Sequence, residues 1–373
     1  MLKTLAGLVL GGVLAVMSVA GAGAEPSNGK LLASGLKGTI GGTIGPDGAL
    51  YVPEGAAGKI TRIDPATGQA TTFASGLPNS IIGIGGAIDV AFVGTTAYVL
   101  VTLVAADVGG SNVDGIYRMD DADSFTVIAD LGAFSAAHLP AYPVDVPSGL
   151  QYALQPIPGG FLVSDGHHNR VLRVSMTGDV IELIAFGNIV PTGLAASGSS
   201  VYMSEAGPVP HLPANGKVVS FGLNGPTAKD VASGFSLIVD VEFGPGGVLY
   251  ALSQGDSPGA VAPASPAKPT SGRLLRINSN GTFSVLVDAL NLPTSLDFAG
   301  DTAFVVTLNG EVWKIDGVSK LGEIASAARP ISPPSTGDGG LAAAPSSPLM
   351  SLAVVVGAAL GASALVWSRR RYS

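Results

Sequence analysis

The feature that leaves this chain least freedom is a unit that returns along most of its length. A Gly turn leads into a Leu-Tyr-Val strand that closes on an acidic or polar residue; a basic strand and another Gly turn follow. Gly48-Ala49-Leu50-Tyr51-Val52-Pro53-Glu54 is one copy and Gly160-Phe161-Leu162-Val163-Ser164-Asp165 a second. Ser199-Ser200-Val201-Tyr202-Met203-Ser204-Glu205 and Gly247-Val248-Leu249-Tyr250-Ala251-Leu252-Ser253 are two more. Repeats of roughly 40–55 residues with several short strands each predict the blades of a β-propeller, all-β in class.

Each copy reads as four strands, a to d from the axis outward. The copies span about residues 39–77, 86–134, 147–187, 191–237 and 238–292, and a sixth starts at Pro293. The sixth lacks a fourth strand. The segment Lys30-Leu31-Leu32-Ala33-Ser34-Gly35-Leu36 supplies one, since it echoes Thr72-Phe73-Ala74-Ser75-Gly76-Leu77 and Val231-Ala232-Ser233-Gly234-Phe235. The expectation is therefore a six-bladed ring over residues 25–324, closed by its N-terminal strand so that no sheet edge is orphaned. No helical periodicity is evident outside the two chain ends.

Residues 1–24 carry the marks of an export signal: Lys3, an uncharged apolar stretch over 5–20, and Ala22-Gly23-Ala24 as a small-x-small cleavage site. Residues 349–367 form an uncharged apolar run of membrane-spanning length, followed by a basic tail, 368–373, with Arg369-Arg370-Arg371. Basic residues stay cytoplasmic, which predicts a propeller held on the extracellular face of the membrane or in the cell wall. The segment 325–348, rich in Pro, Ser, Gly and Ala, reads as a spacer. Within it Pro333-Pro334-Ser335-Thr336-Gly337 resembles a Leu-Pro-x-Thr-Gly sorting signal at Pro334, Thr336 and Gly337, with Pro333 in place of the leucine. Sortase transfer and a plain permanent anchor both remain open.

Cysteine is absent, so the exported domain must hold without disulfides. A net charge of −8 argues against nucleic acid as a partner. The partners left are the membrane, through the C-terminal helix, and a surface glycan, small molecule or protein.

In a blade the a–b and c–d turns lie on one face of the disc and the b–c and d–a loops on the other. The first set is short. The second holds the long segments 104–114, 132–146, 206–216 and 254–272, which makes it the expected binding face. All four histidines, His138, His167, His168 and His211, fall there. They suit a polar binding rim or a metal site. Glu54, Asp165 and Glu205 close b strands. They could ring the channel mouth and hold a divalent cation such as calcium, or they could cap local turns by accepting backbone N–H groups. Nearer the axis the aligned strand-a positions are Gly41, Asp89, Gly149, Gly193, Asp240 and Ser295. Asp89 and Asp240 belong to opposite blades and line the channel, either open to a ligand or bonded to neighbouring strands.

The repeats, and Asp165-Gly166-His167-His168-Asn169-Arg170-Val171 above all, are similar to the NHL and SMP-30/gluconolactonase propellers. The domain over about 30–315 resembles the ScyD/ScyE family of exported bacterial proteins, whose Gly-Pro-x-Gly-x-Leu-Tyr-Val pattern returns in Gly45 to Val52 and, less completely, in Gly244-Pro245-Gly246-Gly247-Val248-Leu249-Tyr250. These motifs are structural, and two functions follow as alternatives. One is a binding or scaffold module without catalysis. The other, implied by the SMP-30 resemblance, is a metal-dependent lactonase with Glu54 as its glutamate ligand; the companion asparagines and aspartate have no matching positions. A quinone-dependent sugar dehydrogenase, a third option for a six-bladed ring, wants basic residues that the long-loop face lacks. No Ser-His-Asp spacing or phosphate-binding glycine loop is present.

Overall fold

Short β-branched and aromatic segments between Gly turns make poor helices and good strands. In the computed structural model, which describes residues 25–259 and 265–324, they form six four-stranded antiparallel sheets. The expected signal (1–24), spacer (325–348) with its sorting motif, apolar span (349–367) and basic tail (368–373) lie outside those residues. Among the described residues no helix is long and apolar enough to cross a membrane.

Blade one comprises β2 (Thr43–Ile44), β3 (Leu50–Glu54), β4 (Lys59–Ile63) and β5 (Ala70–Ala74). Blade two comprises β6 (Gly86–Val93), β7 (Thr96–Thr102), β8 (Gly115–Met119) and β9 (Phe125–Asp130). Blade three holds β10 (Gln151–Ile157), β11 (Gly160–Asp165), β12 (Arg170–Ser175) and β13 (Val180–Ala185). Blade four holds β14 (Pro191–Ser197), β15 (Ser200–Glu205), β16 (Lys217–Gly222) and β17 (Gly225–Ser233). Blade five has β18 (Ile238–Phe243), β19 (Leu249–Ser253), β20 (Gly272–Ile277) and β21 (Phe283–Leu290). Blade six has β22 (Pro293–Ala299), β23 (Thr302–Thr307) and β24 (Val312–Asp316), and β1 (Lys30–Ala33) supplies its outer strand. The pairing is antiparallel, with Leu31 opposite Trp313, so the expected closure by the N-terminal strand is what the chain does.

The Leu-Tyr-Val motif has a packing reason. Its leucine and valine, as in Leu50 and Val52, are fully buried, while its tyrosine reaches the next blade. Tyr51 meets Phe92 edge-on at 4.8 Å, Tyr202 meets Phe243 at 5.4 Å and Tyr250 meets Phe298 at 4.9 Å. Such aromatic pairs add to the area they bury. The same tyrosine explains the glycine that opens the preceding turn. A Cβ on Gly45 would stand 2.2 Å from the Tyr51 ring, and one on Gly244 2.6 Å from the Tyr250 ring.

One element departs from expectation. The connection between blades two and three contains a helix, α1 (Leu131–Ala137), whose first turn Asp130 caps by accepting from the Ala133 amide at 2.7 Å. It is seven residues long and includes Gly132 and Ser135, so it carries no apolar period to read.

Candidate functional site: the axial cavity

Five of the six innermost strands slip register at a matching level: between Ala87 and Asp89, Gln151 and Leu154, Pro191 and Leu194, Ile238 and Asp240, and Pro293 and Ser295. A bulge frees backbone groups from the ladder and turns them off the sheet, here toward the axis. Those groups need partners. Asp89 Oδ2 accepts from the Leu154 amide of blade three at 2.7 Å, and Oδ1 accepts from Val90 at 2.9 Å. Asp240 repeats this three blades on, accepting from the Leu296 amide of blade six at 2.7 Å and from Val241 at 2.9 Å. Each carboxylate also fills the space beside a glycine of the preceding blade. A Cβ on Gly41 would lie 2.3 Å from Asp89 Oδ1, and one on Gly193 2.1 Å from Asp240 Oδ1. Each aspartate thus clamps three consecutive blades, so hydrogen bonding to neighbouring strands is realised at both.

Tyr152, on blade three, crosses the axis and donates its hydroxyl to the Thr294 carbonyl of blade six at 3.0 Å. Beside this bar lies a cavity of about 270 Å³, bounded by Asp89, Phe92, Pro156, Asp240, Glu242 and Asp297 among others. Phe92, Pro156, Glu242 and Asp297 occupy the later halves of the inner strands, so the cavity reaches toward the short a–b turns. Gly149, aligned with the axial positions in sequence, precedes β10 and packs on Asp165. At the cavity its place is taken by Tyr152, Ala153 and Leu154.

Glu242 and Asp297 complete a set of four carboxyls with Asp89 and Asp240, and among the described residues no Lys, Arg or His lines the cavity with them. All four side chains are only partly accessible. Withdrawal from bulk water raises Asp89 to about 8, Asp240 to about 7 and Glu242 to about 8. It carries Asp297 well above the carboxylate range, and the charges of Glu242, Asp240 and Asp89 push the same way. The Tyr152 hydroxyl, deeply buried, is likewise held well above its usual value.

The rim residues are built differently. Glu54 is spent locally: Oε2 accepts from the Lys37 amide at 2.9 Å, and Oε1 meets Lys59 Nζ at 3.1 Å and accepts from the Thr61 hydroxyl. Asp165 is fully buried; its Oδ1 accepts from the Leu150 and His168 amides, both at 3.1 Å, and its Oδ2 faces Arg170 Nε at 3.4 Å. Here the turn-capping role is realised. Glu205 is buried at the end of β15, and burial raises it to about 7 against the opposing charge of Lys217.

Three of the four imidazoles are 2% exposed, so they do not form an open rim. Two of them bond a backbone group of a loop. His167 Nε2 accepts from the Val146 amide at 3.3 Å, and His211 Nδ1 pairs with the Ala206 carbonyl at 3.2 Å. His168 Nδ1 lies 2.9 Å from Arg170 Nη2 and 3.3 Å from Asp165 Oδ2. Arginine can only donate, so this nitrogen is the acceptor and the ring is neutral. Burial lowers both His168 and His211. Only His138 is exposed, stacked on Phe134 at 4.2 Å while its carbonyl accepts from Arg170 Nη1 at 2.7 Å. Among the described residues no three His, Cys, Asp or Glu side chains are grouped to hold a metal ion. With Glu54 tied to Lys37, Lys59 and Thr61, the donor set of a metal-dependent lactonase does not fit.

No protein-family model matches the chain, and no curated protein does either. Solved structures do. A gluconolactonase from Xanthomonas campestris is 12% identical, with a TM-score of 0.54 over 77% of this chain and 89% of that one. The calcium-binding protein regucalcin from Agrobacterium tumefaciens is 13% identical, with a TM-score of 0.52 over 77% of this chain and 92% of that one. A putative gluconolactonase is 14% identical, with a TM-score of 0.51 over 80% and 94%. The chain is thus a six-bladed propeller with structural neighbours of the SMP-30, gluconolactonase and regucalcin type. At these identities the likeness is one of fold.

Proposed function

We propose that this protein is a surface-held binding propeller of the ScyD/ScyE kind, without catalysis, whose axial cavity takes a compact ligand bearing an ammonium group. One observation supports this reading above the rest: four carboxyls face one cavity whose lining supplies no cation. A ligand that brings the missing positive charge stabilises the ionised carboxylates and drives their protons out. Binding should therefore release protons between about pH 6 and 8. Calorimetry with glucosamine and a short diamine, in two buffers of different ionisation enthalpy, measures this. N-acetylglucosamine, which lacks the ammonium, serves as control. Failure of both amines to bind, or equal binding of the control, overturns the cationic-ligand reading. Export and anchoring belong to the same proposal and are tested by protease added to intact cells, which should remove the propeller; Thr336→Ala should shift protein from wall to membrane fractions if Thr336-Gly337 is a sorting site.

A lactone hydrolase is the second reading, favoured by the fold shared with gluconolactonases. It needs a metal site that the residues described here do not supply. Lactone turnover that depends on an added divalent cation, and is lost in Glu54→Gln, would restore it.

A further inference from the structure

We propose that the axial carboxyl set makes the ring itself a pH-responsive device, more stable while the set holds its protons and less stable once they are lost. The geometry has three parts. The set spans blades two, five and six, with Asp89, with Asp240 and Glu242, and with Asp297. Two of its members, Asp89 and Asp240, also fasten the bulged inner strands by accepting the Leu154 and Leu296 amides; those bonds favour the ionised form, so what ionisation costs is the burial of like charge and not the bonds themselves. No neutralising group is packed against it. Blade one contributes Gly41 to Ile44, blade three Tyr152 and Gln155, and blade four Gly193 and Leu194. The second strands behind the set place Leu100 opposite Asp89, Leu252 opposite Asp240, Tyr250 opposite Glu242 and Phe304 opposite Asp297. With the cavity empty, ionisation puts like charges into a space of about 270 Å³ with nothing to balance them.

The sign follows from linkage. An unfolded aspartate loses its proton near 3.8 and a glutamate near 4.5, whereas folded Asp89 and Glu242 keep theirs to about 8. Across that interval the folded state binds more protons, so stability falls as pH rises and levels off above the folded values. Two buried carboxyls outside the cavity contribute lower down, Asp114 near 6 and Glu205 near 7. The window above about pH 7.5 therefore reports the axis.

The device requires no ligand, so its test stands apart from that of the proposed function. Melting of the full chain, followed by near-ultraviolet circular dichroism, should drop by about 5–10 °C from pH 6.5 to pH 9. The Glu242→Gln, Asp297→Asn double variant should lose less than half as much and should melt above wild type at the higher pH. Parallel profiles in the two proteins overturn the proposal. If the variant does not fold, infrared spectra of the wild-type chain decide. A protonated-carboxyl carbonyl band that persists at about pH 7.5 and vanishes by about pH 9 supports the device, and its absence at the lower value overturns it.

Discussion

The rim of this propeller and its axis both concentrate acidic residues, and they treat them in opposite ways. At the rim Asp165 meets two amides and an arginine, and Glu54 an amide, a lysine and a hydroxyl. On the axis Glu242 has the Phe243 amide and otherwise faces carboxyls. A carboxyl given a cation beside its amides becomes part of the frame. One given amides alone keeps its proton, and with it a capacity to respond. The residue type is the same, so what separates scaffold from candidate site is the supply of positive charge.

That comparison can be broken by substitution. The largest effect should come from Asp165→Asn, which takes the buried carboxylate from Arg170 and leaves it only that of half-exposed Glu182 at 3.3 Å; a loss of about 3 kcal/mol in denaturant unfolding is expected. A loss below about 1 kcal/mol would mean the rim knot is dispensable. Asp240→Asn should cost less, about 1–3 kcal/mol, because its amide nitrogen confronts one of the two strand N–H groups that the carboxyl now accepts. Tyr152→Phe, which cuts the hydrogen bond across the channel and leaves the Thr294 carbonyl bare, should cost about 1 kcal/mol. Glu242→Gln should be smallest near pH 6, within about 0.5 kcal/mol, since a protonated acid and an amide differ little there.

The two regions also titrate against each other. His168 and His211 are lowered by burial, so the rim loses stability as pH falls below the usual histidine value of 6.5. The axis loses it as pH rises toward 8. Between about pH 5 and 6.5 the raised carboxyls outweigh the two histidines, so net stability should still climb as pH falls, and His168→Gln should steepen that climb alone. A change of the alkaline limb in that variant would show that rim and axis are coupled.

Most of the frame was legible because it repeats. The Leu-Tyr-Val strand, the Gly-Pro turns and the unpaired sixth copy carry blade count and closure in the sequence itself. Asp89 and Asp240 were legible as aligned inner-strand positions. Glu242 and Asp297 escaped, although alternation carries the signal: each lies two residues beyond an axial position, Asp240 and Ser295, and so on the same strand face. The fate of the histidines could not be read in advance. It depends on Arg170, on the Val146 amide and on a short helix without an apolar stripe, all of which meet only in three dimensions.

The closure of blade six by β1 also sets an order of events. A chain that appears N-terminus first shows Lys30–Ala33 at the start, yet their partners Val312–Asp316 arrive last. Until then the first strand has no place to dock and the ring has two raw edges. Folding can proceed blade by blade, but the lock turns only when synthesis of the domain is complete. A stalled or shortened chain would be left as an open, adhesive arc, which a protease that samples exposed edges would remove.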